Sequence, residues 1–193
     1  MKQQFFHGAI PSPKDNRDYQ FTDLVAGVPS AGTPASYLNP IVSDIQVVNQ
    51  GTSETCVACS LSYLRWIVEK TQSNNDKPFS PTYIYGNRDS FGYMGEGMIL
   101  REALQILQKS GVCFYEDLPG FYDVNTSIKQ YRTNKETLDP KAHPYRISSY
   151  YAVKGTENIK DAVYRLGGVM VNYPAFTCLY SPNSEGKISY NPN

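Results

Sequence analysis

Residues 50–66 read Q-G-T-S-E-T-C-V-A-C-S-L-S-Y-L-R-W, and no other stretch constrains the fold of this chain as tightly. A short polar segment leads straight into an apolar run that places Cys56 at its first turn. Ala58, Leu61, Tyr63 or Leu64, and Ile67 recur at helical spacing and predict a helix from about Thr55 to Lys70. Its apolar positions surround much of its circumference, as expected of a central, packed helix. The free N–H groups and the positive dipole end of such a helix favour a charged sulfur, so Cys56 is a candidate nucleophile. Gln50 lies six residues earlier, and its carboxamide offers N–H donors for a developing oxyanion. Together they are two parts of an acyl-transfer site.

The rest of the chain supplies more helices and then strand-like segments. Ser80 followed by Pro81 is a cap with proline at the first helical position. Leu100, Ala103, Leu104 and Leu107 share a face within a helix of about Met98 to Lys109, with Gly111 just past its end. Residues 124–144 read as a short helix mixed with turns. Tyr145 to Val153 alternates like a strand, Glu157 to Leu166 is an amphipathic helix closed by Gly167-Gly168, and Val169 to Tyr173 reads as a second strand. Residues 1–25 read as an extended arm, and 71–77 as a polar loop. Helices first and strands after them predict an α+β fold.

The 193 residues suffice for one large domain or two small lobes. Formal charge is zero, which gives no electrostatic case for nucleic acid or an anionic membrane as a partner. No apolar run approaches the roughly 20 residues of a membrane span. Cys56 and Cys59 form a C-x-x-C, but Cys113 and Cys178 stand too far off to complete a zinc pattern, so no metal and no cofactor are expected. Cys59, one turn along from Cys56, reads as a small packing residue.

Asn49-Gln50-Gly51, four residues, Cys56-Val57-Ala58 and an apolar helix resemble the active-site segment of the papain-like cysteine peptidases. The spacing from glutamine to cysteine is the same. Val57 stands where that family carries an aromatic residue, Cys59 follows, and Glu54-Thr55 replaces Gly-Ser. Glu54 opposes thiolate formation unless it faces solvent. The resemblance runs on, in order, through Ile10-Pro11-Ser12-Pro13 and Arg17-Asp18-Tyr19, Ser80-Pro81, Gly95-Glu96-Gly97, Gly111-Val112-Cys113 and Gly167-Gly168-Val169. It implies a two-lobe fold with a cleft: an arm over 1–25, a mainly helical left lobe over 26–123, and a β-rich, incomplete right lobe over 124–193. It implies peptide-bond hydrolysis by Cys56, with Gln50 and the Cys56 N–H at the oxyanion. Gly95 and Gly97 let a substrate backbone approach, or simply form a turn before the next helix.

The histidine base is the missing part. Only His7 and His143 are present. In papain-like order the histidine and asparagine follow the cysteine by roughly 130–150 residues, and His143 follows Cys56 by only 143 − 56 = 87. His143 therefore reads as a surface loop residue, and the chain reads as ending before the base. A further C-terminal segment or a second chain supplies it, or the protein is a non-catalytic papain-fold pseudoenzyme acting as a peptide-binding or assembly protein. A Cys-His amidohydrolase acting on peptidoglycan or other amides is the other enzymatic reading. The partner expected in the first case is a peptide or protein substrate.

Overall fold

The computed structural model describes residues 8–16, 18–27, 32–44, 50–88, 92, 95–120, 123–172 and 183–184. His7, Cys178 and nearly all of 173–193 lie outside them.

The central helix α2 (Cys56–Ser73) follows a small α1 (Phe21–Leu24) and a 3-10 turn at Pro40–Asp44. It outruns its expected end by a turn, because Thr71 and Ser73 hydroxyls bond back to the Ile67 and Glu69 carbonyls. Asn74 in the left-handed region (φ 55°) then closes it. Its first turns are buried through Val57, Ala58, Leu61 and Ser62, and its second half is half-buried.

Helix α3 (Pro81–Asn87) starts where Ser80 receives the Tyr83 N–H at 3.1 Å, with Pro81 at the first position. All seven of its residues are buried. Helix α4 (Leu100–Lys109) is stopped by Gly111 (φ 83°), whose N–H reaches the Ile106 and Leu107 carbonyls. Helix α6 (Thr156–Leu166) ends the same way on Gly167 (φ 89°).

The sequence reading departs furthest from the structure in two places. Residues 124–144 are not a short helix among turns. Val124–Ala142 form one 19-residue helix, α5, followed by a 3-10 turn at His143–Tyr145. Asp123 caps α5 by accepting the Thr126 N–H at 3.0 Å. Pro140 lies in the last turn, so the intrahelical bond it cannot make and the clash of its ring with the preceding turn disturb only the end of the helix. The second failure is the strand over 145–153. That segment runs along the end of α4 instead, with the Ile147 N–H on the Leu107 carbonyl and the Gln108 amide on the Ser148 carbonyl. Only Ala152 pairs, in an isolated parallel bridge with Gln20. An alternating pattern makes a strand only beside another strand, and here the neighbour is a helix end. Residues 169–172 also lack regular structure.

The sheet of the described residues is small. β1 (Ala9–Ile10) pairs in parallel with β2 (Met98–Ile99), so the expected bare arm carries a strand. The fold is α+β, mostly helical. Its core gathers Leu61, Tyr83, Ile84, Ile106, Leu107, Val112 and Leu138 between α2, α3, α4 and α5. Beside it Phe79 stacks on Phe114 with centroids 5.2 Å apart, and Tyr145 closes on both rings. That core fixes the start of α2 from below.

Candidate active site

Cys56 is the first residue of α2 and is half-buried. The loop before it is held by its own side chains. Gly51 (φ 63°) turns the chain, and the Ser53 N–H and hydroxyl both donate to the Gln50 carbonyl. Ser53 Oγ meets Thr55 Oγ1 at 2.7 Å, and Thr55 Oγ1 meets Cys59 Sγ at 3.4 Å. Thr55 is 1 % exposed. This chain of hydroxyls ties the Gln50 turn to the residue immediately before the cysteine.

Gln50 is half-buried, and its Nε2 donates to the Ser53 carbonyl at 2.7 Å. One amide hydrogen is thus committed to the loop, which orients the carboxamide and leaves the second hydrogen for another acceptor.

The N-terminal segment adds what the sequence did not show. Gly8 is buried against the Glu54 backbone, and a Cβ there would stand 2.9 Å from Glu54 Cα and closer still to its carbonyl. The Gly8 carbonyl receives the Met98 N–H at 2.7 Å. Arg101 fastens the segment further along, through the Pro13 carbonyl and the Asp18 carboxylate. A small residue just before Ala9-Ile10 was the one available signal, and it is a weak one.

Contrary to the simple helix-dipole expectation, the Cys56 thiol holds its proton more tightly than a free cysteine. Burial is the largest cause. Backbone hydrogen bonds from Gly8, Val57 and Cys56 pull the other way, and the Glu54 charge adds to the rise. Burial penalises the charged form, and here it outweighs the N–H groups that would stabilise it. Cys59 is buried and pushed up to about 11, chiefly by burial.

Gly95 and Gly97 both adopt positive φ, 81° and 75°, which the turn into β2 requires. Gly95 is exposed with open space around it. At Gly97 the equivalent space is filled by the Gly8 carbonyl, 2.7 Å from where a Cβ would lie. The Gly97 N–H donates to Tyr85 Oη at 3.0 Å.

His143 is exposed in the turn after α5. Two residues on, the Tyr145 carbonyl receives Arg65 Nε at 3.5 Å. Arg65 lies nine residues along α2 from Cys56, about 14 Å at 1.5 Å per residue. That bond ties the turn carrying His143 to the middle of α2 rather than to its first turn. Among the described residues, no group of three or more His, Cys, Asp or Glu is placed to hold a metal. No helix of those residues is long and apolar enough to cross a membrane.

The structure aligns with that of xylellain, a cysteine protease from Xylella fastidiosa. The TM-score is 0.61 at 21% identity, over 81% of this chain and 62% of that one. This chain has the fold of that cysteine protease. It spans less than two thirds of the neighbour's length. No family model matches the sequence, and neither does any curated protein.

Proposed function

We propose that the protein is a cysteine-type peptidase of papain-like, two-lobe design, with its cleft at the N-terminal end of α2. The lobes divide near residue 123, after an arm over residues 1–25. The observation that carries this reading is Cys56: a half-buried thiol at the head of the central helix, beside the Gln50 turn, in a fold shared with a cysteine protease. Cys56 attacks the substrate carbonyl, and its sulfur forms the acyl bond as the amine departs. The free hydrogen of the Gln50 carboxamide and the Cys56 N–H face the oxygen that takes up the negative charge. Gly95 offers an unobstructed backbone edge to an extended peptide. A thiol that holds its proton tightly needs a base to release it, and the leaving amine needs a proton in return. His143 is badly anchored for either task. The base comes from a further C-terminal segment or from a partner chain.

The lack of a histidine at the papain-like spacing from Cys56 favours one second reading, a non-catalytic peptide-binding protein using this cleft. Turnover of fluorogenic peptides in the presence of reductant decides between them. Activity that vanishes in Cys56→Ala and survives in His143→Ala supports the peptidase as drawn. Tight peptide binding without turnover supports the second reading. Loss of activity in His143→Ala would overturn the placement of the base.

A further inference from the structure

The pair Cys56 and Cys59 is not accounted for by peptide hydrolysis, which uses a single thiol. We propose that the two form a reversible redox couple, with Cys59 resolving an oxidised Cys56 into a disulfide across the first turn of α2. This inference stands whether or not the protein cleaves peptides.

Three observations carry it. The cysteines occupy the first and fourth residues of α2, so their side chains share a face with Cβ atoms about 5–6 Å apart. Cys59 Sγ lies 3.4 Å from Thr55 Oγ1, so its sulfur is laid back over the turn that begins at Cys56, as helical side chains lean. The two thiols also act on each other electrostatically. A disulfide needs Cβ atoms about 3.5–4.5 Å apart, so the turn must tighten by about 1 Å. The Cys56 N–H has no carbonyl four residues back within α2, and Thr55 makes no side-chain cap bond.

Burial assigns the roles. Cys56 is half-buried and open to a small oxidant, whereas Cys59 is 8 % exposed and shielded from direct attack. Hydrogen peroxide accepts two electrons from the Cys56 sulfur. Its O–O bond breaks, one oxygen stays on sulfur as a sulfenic acid, and the other leaves as water with the Cys56 proton. The Cys59 sulfur then attacks the Cys56 sulfur. An S–S bond forms, the S–O bond breaks, and the hydroxyl leaves with the Cys59 proton as a second water. A dithiol reductant reverses the result. Without Cys59 the sulfenic acid stays open to a second peroxide and passes to sulfinic acid, which such reductants do not repair.

The tryptic peptide 18–65 carries both cysteines and no other, which makes the test direct. The full chain is treated with hydrogen peroxide, blocked with N-ethylmaleimide, digested and weighed. The expected wild-type peptide is lighter by two hydrogens, takes up no maleimide, and takes up two after dithiothreitol. In Cys59→Ser the expected product is sulfinic Cys56 that dithiothreitol does not recover, in a protein whose helical circular dichroism matches the wild type. A wild-type peptide with sulfinic Cys56 and an alkylatable Cys59 would overturn the proposal. So would a disulfide joining Cys56 to Cys113 or Cys178, or two thiols untouched by peroxide. These wild-type masses decide the matter even if the variant fails to fold.

Discussion

Gly8→Ala is the sharpest probe of the contact between the N-terminal segment and the thiol. The added methyl points at the Glu54 backbone, 2.9 Å from Cα and closer to the carbonyl, a separation that no flexible side chain can relieve. Something in the backbone must move. The 50–56 loop is the stiffer partner, since Gln50, Ser53, Thr55 and Cys59 are cross-linked by hydrogen bonds and Thr55 is 1 % exposed. The segment around Gly8 yields instead, and gives up the Met98 N–H bond and the two-residue pairing with β2. Overpacking against backbone costs about 1–3 kcal/mol, which shifts the docked-to-detached equilibrium by about 5- to 160-fold. Two effects then compete at Cys56. Loss of the Gly8 hydrogen bond raises the thiol further, and loss of cover relieves the burial that raised it. Burial is the larger cause at this sulfur, and the expected outcome is that uncovering it outweighs the lost hydrogen bond, so that the thiol becomes more accessible and ionises more readily. Iodoacetamide labelling of Cys56, followed by mass spectrometry at neutral pH, should quicken at least several-fold, while Cys113 labelling stays slow. Unchanged Cys56 labelling in a folded Gly8→Ala protein would refute the reasoning, because it would mean that Gly8 does not cover the sulfur.

Two further outcomes follow from the packing and the buried thiols. Gly86→Ala should lower the urea midpoint at an unchanged slope. The alanine gains about 1 kcal/mol of helix propensity, but its methyl would stand 2.8 Å from Tyr131 Cβ and nearer still to the Ser127 carbonyl, costing about 1–3 kcal/mol. An equal or higher midpoint would show that α3 and α5 are not in close contact there. Stability should also fall as pH rises from about 9 toward 11. Unfolded thiols ionise near their ordinary value of 9.0, while burial keeps Cys59 protonated to about 11 and Cys113 to about 12, so folding costs more as the unfolded state sheds protons. Urea titrations at pH 8, 9.5 and 10.5 read this slope, and Cys113→Ala should make it shallower.

The elements legible in the sequence are those whose signals are local. Ser80 beside Pro81 marks α3, and Gly111 and Gly167 mark the ends of α4 and α6, because each of these residues does its work within a few positions of itself. Helix α5 was misread because its buried stripe is Ser127, Tyr131, Leu138 and Ala142, spaced for a helix but half composed of small or polar side chains. Those residues fit because Gly86 brings α3 close, a fact held in another part of the chain. The strand over 145–153 failed for the same kind of reason, since its alternation lacked a neighbouring strand. At the candidate site the position of Cys56 was legible from spacing alone. Its proton affinity was not, because the cover comes from Gly8, 48 residues upstream (56 − 8), and no local pattern announces a fold-back of that length.

The bridge between Gln20 and Ala152 sets a timetable for synthesis. Ala152 is made 152 − 20 = 132 residues after Gln20, which takes about 7–26 s at the roughly 5–20 residues per second of a ribosome. β1 waits a similar way for β2, since Ala9 precedes Met98 by 98 − 9 = 89 residues. Throughout that interval the segment from Ala9 to Gln20 has an unsatisfied backbone edge and nothing to pair with. Its Pro11 and Pro13 carry no N–H, so the exposed stretch offers a poor template to another nascent chain. The segment that comes to rest over the thiol is thus made 89 residues ahead of the strand that seats it.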